Sequence, residues 1–215
     1  GEQKLLSQAY LKDAVDVTKE NVSKPNAANF SYGIWIYVQQ WKEPVDTEAA
    51  SRIFARKDEI GLYLDKNATL KVRLADTSGK DVMPIEGVYG TPATLAAAFS
   101  TITLTNNFPI QKWVHVGLVV DGNKFDGYID GKMVKSVGLK NNGIQPGVTN
   151  GILFGKSDNA MKDSLLIAEH KRRTYPMDPK GMWDLYMKGN GVNGLTQAAS
   201  NMNVNLSILK DGVES

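Results

Sequence analysis

Two patterns of apolar and polar positions run along this chain, and both predict β-strands. The first is alternation. In Thr69–Leu74 the apolar positions Leu70, Val72 and Leu74 share one face, and in Ser100–Thr105 Ile102 and Leu104 do the same. Successive side chains of a strand point to opposite faces, so each segment reads as a half-buried strand. The second pattern is a near-continuous run of β-formers over residues 30–38, which suits a strand buried on both faces. Residues 113–134 read as three strands joined by two Asp-Gly turns, at Asp121-Gly122 and Asp130-Gly131. A tight hairpin needs positive φ at its central residues, which Gly tolerates freely and Asp better than most. Between the turns, Phe125, Gly127 and Ile129 fall on one face and Asp126 and Tyr128 on the other.

Further strands are predicted at 52–56, 60–64, 134–137, 151–155, 163–169 and 203–209. Asp178-Pro179 opens a short helix, with Asp as N-cap and Pro at the first helical position. Met182, Leu185 and Tyr186 share its apolar face, Trp183 flanks that face, and Gly189 is placed to end the helix in the left-handed conformation. Residues 76–92 form a Gly- and Pro-rich insertion long enough to be functional. In the polar first 29 residues, Leu5, Leu6, Tyr10 and Leu11 suggest a short helical turn or a strand that joins late. Many short strands at regular spacing predict an all-β fold, an antiparallel two-sheet jelly-roll sandwich with one short helix near the C-terminus. The expected organisation is an N-terminal arm or outer strand over 1–29, the jelly roll over 30–209 and a tail over 210–215.

Three segments carry a family resemblance. They are 30–38 with Phe30 and Trp35-Ile36, 113–134 with Ile129-Asp130-Gly131-Lys132, and 151–191. In that order they resemble concanavalin A-like and laminin-G-like jelly rolls over about residues 30–209. The last segment runs from its strand through Tyr175-Pro176-Met177-Asp178-Pro179 to Tyr186-Met187-Lys188-Gly189-Asn190-Gly191. That ending resembles versions encoded by large DNA viruses of algae and amoebae. The resemblance implies a virion component, a minor capsid or surface protein whose partners are other subunits, chiefly capsid proteins. The wider family also holds carbohydrate-binding modules, pentraxin-like calcium-dependent binders and glycoside hydrolases. A lectin-like glycan binder, extracellular or at the cell surface, is therefore the alternative.

Charge and composition narrow this further. Lys and Arg total 25 against 23 Asp and Glu, a net charge of +2. That gives no electrostatic case for nucleic acid or an acidic membrane. The one basic cluster, His170-Lys171-Arg172-Arg173, is expected to be a solvated strand end, with a polyanion contact as the other reading. The chain has no cysteine, which excludes disulfides and thiolate chemistry. No apolar run approaches the ~20 residues of a membrane span. The first residue is Gly1, and a processed or truncated N-terminus is expected.

A glycosidase needs two carboxylates aimed into one cleft, either ~5–5.5 Å apart or wider. No strand here carries Glu and Asp at alternate positions as such a pair requires, and Asp58 and Glu59 are adjacent. A non-catalytic protein is expected. Calcium sites would use loop oxygens. Asp121 and Asp130 are explained by their turns, which leaves Asp158, in Ser157-Asp158-Asn159, and Asp163 as weak calcium candidates; no other metal or cofactor is expected. His115 and His170 have no further ligands at metal-binding spacing, and His115 reads as packed or edge-exposed. Sugars stack on exposed aromatic rings. Trp35 and Trp113 match core positions and Trp183 reads as packing, so Trp41, Tyr63 and Tyr89 are the candidate ligand contacts.

Overall fold

A computed structural model of the chain describes residues 1–24, 28–43, 50–56, 59–74, 100–139, 150–155 and 160–191. The described strands are β1 (Glu2–Tyr10), β2 (Asn29–Val38), β3 (Ser51–Arg56), β4 (Ile60–Asp65), β5 (Thr69–Leu74), β6 (Ser100–Thr105), β7 (Trp113–Asp121), β8 (Lys124–Ile129), β9 (Lys132–Gly138), β10 (Ile152–Phe154) and β11 (Leu165–Arg173). One helix, α1 (Pro179–Met187), follows. A six-stranded sheet has the order β1-β11-β2-β7-β8-β9, and a five-stranded sheet the order β10-β3-β4-β5-β6. All these pairings are antiparallel. This is the jelly-roll sandwich that the pattern predicts. The predicted strand at 203–209 and the insertion at 76–92 lie outside the described residues.

The core sits between the sheets. From β2 it takes Phe30, Tyr32, Ile34, Ile36 and Val38, and from β7 Val114, Val116, Leu118 and Val120, every one with no exposed surface. The other residues of β2 and β7 face outward, where α1 covers them in part. Met182 packs there on Val119 and Tyr128. Gly117 makes that approach possible, since a Cβ on it would lie 2.5 Å from the Met182 sulfur. Asp178 caps α1 by accepting the Gly181 N–H at 2.7 Å, and Gly189 ends it with φ 76°.

The two hairpins differ from each other. Ile129 pairs with Lys132, so Asp130 (φ 48°) and Gly131 (φ 74°) are the central turn residues, as expected. At the first turn Asp121 itself pairs with Lys124. The central residues are therefore Gly122 (φ 57°) and Asn123, and Asp121 ends the strand. A turn led by glycine needs positive φ only at its first central position.

The basic cluster departs most from its expectation. It is not a solvated end, because β11 continues to Arg173, and His170, Arg172 and Arg173 are fully buried. The cause is a β-bulge. The register against β2 shifts between Ala168 and Lys171, and Glu169 takes φ 49°. The shift turns His170 and Arg172 into the core and leaves Lys171 and Arg173 on the outer face. His170 stacks on Tyr32 and meets Phe54 and Phe154. Arg172 bonds the Tyr32 hydroxyl at 3.0 Å and Glu59, which also takes Arg56 at 2.8 Å. Glu59 and both arginines are buried, so this is an ion network inside the sandwich.

Candidate binding groove beside the C-terminal helix

The two sheets end in β6 and β9, which lie against each other. At one end of this seam, α1 and the loop after β6 stand apart and leave an open groove of about 500 Å³. That volume is in the range of small-ligand sites. Thr105, Asn107 and Pro109 line one wall; Asp130, Lys132 and Val134 line the β8–β9 side; Trp183 and Tyr186 of α1 close it. The turn is held rigidly. The Asp130 N–H donates to the His115 carbonyl at 2.8 Å, and Asp130 Oδ1 accepts the His115 N–H at 2.9 Å. Its Oδ2 lies 3.7 Å from Lys112 Nζ.

An aromatic series leads from the buried sheet face to this groove. The Trp35 ring lies 5.2 Å from His115 and stacks on Tyr186 at 5.7 Å, and Tyr186 meets Trp183 at 5.5 Å. Trp183 keeps 41% of its surface exposed. It can lie on the turn because Gly131 has no side chain; a Cβ there would come within 2.8 Å of the indole. The groove therefore offers a supported indole face beside an amide, a carboxylate and an ammonium group. Such a set suits a polyhydroxylated ring, whose apolar face stacks while its hydroxyls bond at the edge.

Of the candidate ligand contacts and calcium ligands that the structure describes, Trp41, Tyr63 and Asp163, none lines this groove. Trp41 is half-buried at the edge of the core and donates its indole N–H to Glu43 at 2.9 Å. Tyr63 is fully buried, over Gly61 and 4.9 Å from the Arg73 guanidinium, and presents no face to a ligand. Asp163 sits in the solvent 3.3 Å from Lys12 Nζ. Tyr89 and Asp158 lie outside the described residues. Among the described residues no cluster of His, Asp and Glu could hold a metal ion. His115 and His170 are both buried, which pushes each down to about 3; for His115 the Arg173 charge adds to the effect. The sequence signal that was missed is Trp183, a large aromatic residue one position off the apolar face of a short helix.

A comparison with known families settles the scaffold. The family described as the concanavalin A-like lectin/glucanases superfamily matches residues 11–166, most of the chain. The chain belongs to that superfamily. The match ends before α1, the helix wall of the groove. No curated protein sequence matches the chain. Among solved structures, the botulinum neurotoxin serotype D binding domain aligns at TM-score 0.54 and 13% identity, over 75% of this chain and 37% of that one. The binding domain of Paraclostridial Mosquitocidal Protein 1 aligns at 0.54 and 13%, over 86% and 47%. A botulinum neurotoxin type C structure, with cell entry described as dependent upon interaction with two ganglioside molecules, aligns at 0.51 and 18%, over 75% and 36%. At these identities the likeness is one of fold, and the chain spans less than half the length of each. Among the described residues no helix is long and apolar enough to cross a membrane.

Proposed function

We propose that this chain is a non-catalytic, lectin-like module that binds glycans outside the cell or on its surface. The observation that carries the reading is the groove, with exposed Trp183 packed at a tilt against Tyr186 and flanked by Asn107, Asp130 and Lys132. The superfamily and the ganglioside interaction described for one structural neighbour support it. Among the described residues a single carboxylate, Asp130, lines the groove, and a glycosidase pair needs a second. The test is a glycan array with the intact chain and with Trp183→Ala. Losing one stacking ring should weaken binding at least tenfold while the thermal midpoint stays within a few degrees. Absence of binding across neutral and acidic glycans, or a Trp183→Ala variant that binds as well as the parent, would sink the reading.

A second reading is a virion subunit packing against capsid proteins. Its support is the resemblance at 186–191, together with exposed Met187 (64%) and Tyr175 (44%) on either side of α1. It predicts co-purification with a multi-subunit particle in which those two residues become protected.

A further inference from the structure

On the other flank of α1, between its last turn and the outer face of the six-stranded sheet, lies a smaller cavity of about 20 Å³, open on one side. Three cations line it, Lys171, Arg173 and Lys188, with Glu169 beside them and Gly33 and His115 beneath. Arg173 is fully buried. One of its nitrogens, Nη2, donates to Glu2, whereas Nε and Nη1 have no acceptor among the described residues. Buried guanidinium donors are almost always bonded, because an unmet buried charge is expensive. The nearby carboxylates are already shared. Glu2 also takes Lys171 at 3.5 Å, and Glu169 takes Lys4 at 2.5 Å and Lys171 at 3.4 Å. Among the described residues four cations, Lys4, Lys171, Arg173 and Lys188, thus face two anions, Glu2 and Glu169. The C-terminal end of a helix is itself slightly negative, which offsets part of this excess. The remainder is still positive.

We propose that this cavity binds an anionic oxygen, from a carboxylate, sulfate or phosphate, on Arg173 with Lys171 and Lys188 around it. The space admits one or two oxygen-sized atoms, so an anion enters by an edge and the rest of its carrier stays outside. Donors on an ionised group form the stronger class of hydrogen bond, and Arg173, which lines the cavity, keeps two of them without an acceptor among the described residues. Gly33 keeps the space open: a Cβ on it would lie 3.2 Å from His115 Nε2 and 3.6 Å from Leu185. His115 is held neutral by burial, so it does not add charge. The site is independent of the groove at Trp183, and Trp183→Ala should leave it unchanged.

The carrier is either a free inorganic anion or the acidic group of a sugar, and the test separates them. The whole chain is titrated at fixed ionic strength with sodium sulfate, sodium phosphate, sodium glucuronate and glucose, followed by calorimetry and by the Arg Nε–H signals in nitrogen-resolved NMR. Saturable binding that moves one buried Arg Nε–H supports the proposal. Glucuronate binding tighter than sulfate identifies an acidic sugar, and the reverse order an inorganic anion. Lys188→Gln, an exposed change, should weaken binding about fivefold, and Gly33→Ala, which narrows the cavity and keeps every charge, about tenfold. If Gly33→Ala fails to fold, Lys188→Gln and the NMR shift decide. No saturable binding of any of the three anions, or equal binding by glucose, or affinity unchanged in Lys188→Gln, overturns it.

Discussion

Arg172 and Arg173 are adjacent in one strand and buried to the same degree, yet the protein treats them in opposite ways. Arg172 points into the sandwich. Its nitrogens bond the Tyr32 hydroxyl, Glu59 and the Ser23 carbonyl at 2.8–3.4 Å, and no donor is left over. Arg173 points to the outer face and, among the described residues, has Glu2 alone. A closed set of bonds around a charge fixes geometry and leaves no valence for anything else. An open set leaves a charge that a ligand can meet. One residue type, on one strand, serves as architecture on the inner face and as a candidate site on the outer.

The strongest test of this contrast acts on the inner face. Glu59→Gln removes the anion between two buried guanidinium groups, Arg56 and Arg172. Breaking a buried pair costs about 3–5 kcal/mol, because the remaining charge stays in a low dielectric. Urea denaturation at pH 7.5 measures it, and a loss under about 1 kcal/mol would mean that water reaches the network and that the faces do not differ as described.

Acid should act next most strongly, and each face holds one reporter. His170 lies inside and His115 outside, both buried and both pushed down to about 3. The fold holds each neutral, whereas the unfolded chain takes up a proton below about pH 6.5. Stability from these residues is therefore complete above pH 6.5 and falls as the pH drops towards 3. At pH 4.5 the loss is about 2–3 kcal/mol per histidine. His170→Phe fits a site walled by Tyr32, Phe54 and Phe154 and should remove about half of that slope. Urea midpoints at pH 7.5, 5.5 and 4.5 show whether it does. An unchanged slope would place the titration elsewhere.

The smallest effect is expected at the outer carboxylate. Burial works against the charge of Glu2, but Arg173 and Lys171 outweigh it and hold the carboxyl below its usual range. Its side chain is 44% exposed, so Glu2→Gln should cost no more than about 1 kcal/mol at neutral pH. That cost should fade as the pH falls past the ordinary carboxylate range, where the parent is protonated too. A loss as large as that of Glu59→Gln would make Arg173 a second closed network and remove the basis for a ligand there.

Local chemistry made much of the fold legible. The alternation of Phe125 and Ile129 with Asp126 and Tyr128 sorts them onto the inner and outer faces that the structure shows. Asp178-Pro179 and Gly189 mark the helix ends because capping involves only neighbouring backbone. What stayed hidden depends on distant partners. A run of four basic residues looks solvated when Glu59 is not in view, and a bulge at Glu169 shifts the phase that decides which of them turn inward. The groove was hidden for a related reason. Trp183 is a platform only because a turn some fifty residues earlier carries Gly131 beneath it. Tyr63, by contrast, looked available because nothing local shows that Arg73 covers it.

The pairing of Glu59 with Arg172 also sets an order of assembly. The two are 113 residues apart in the chain. During synthesis β3 and β4 emerge with their carboxylate long before β11 delivers its cation, and a hairpin that buried Glu59 early would strand an unmet charge. The first strands must stay hydrated until the last one docks. β11 also lies between β1 and β2, so its arrival completes the six-stranded sheet in the same step. Closure over so long a separation is slow by topology. The ion network makes it cooperative as well, so a nascent chain that ends before β11 should remain open and a captive of chaperones.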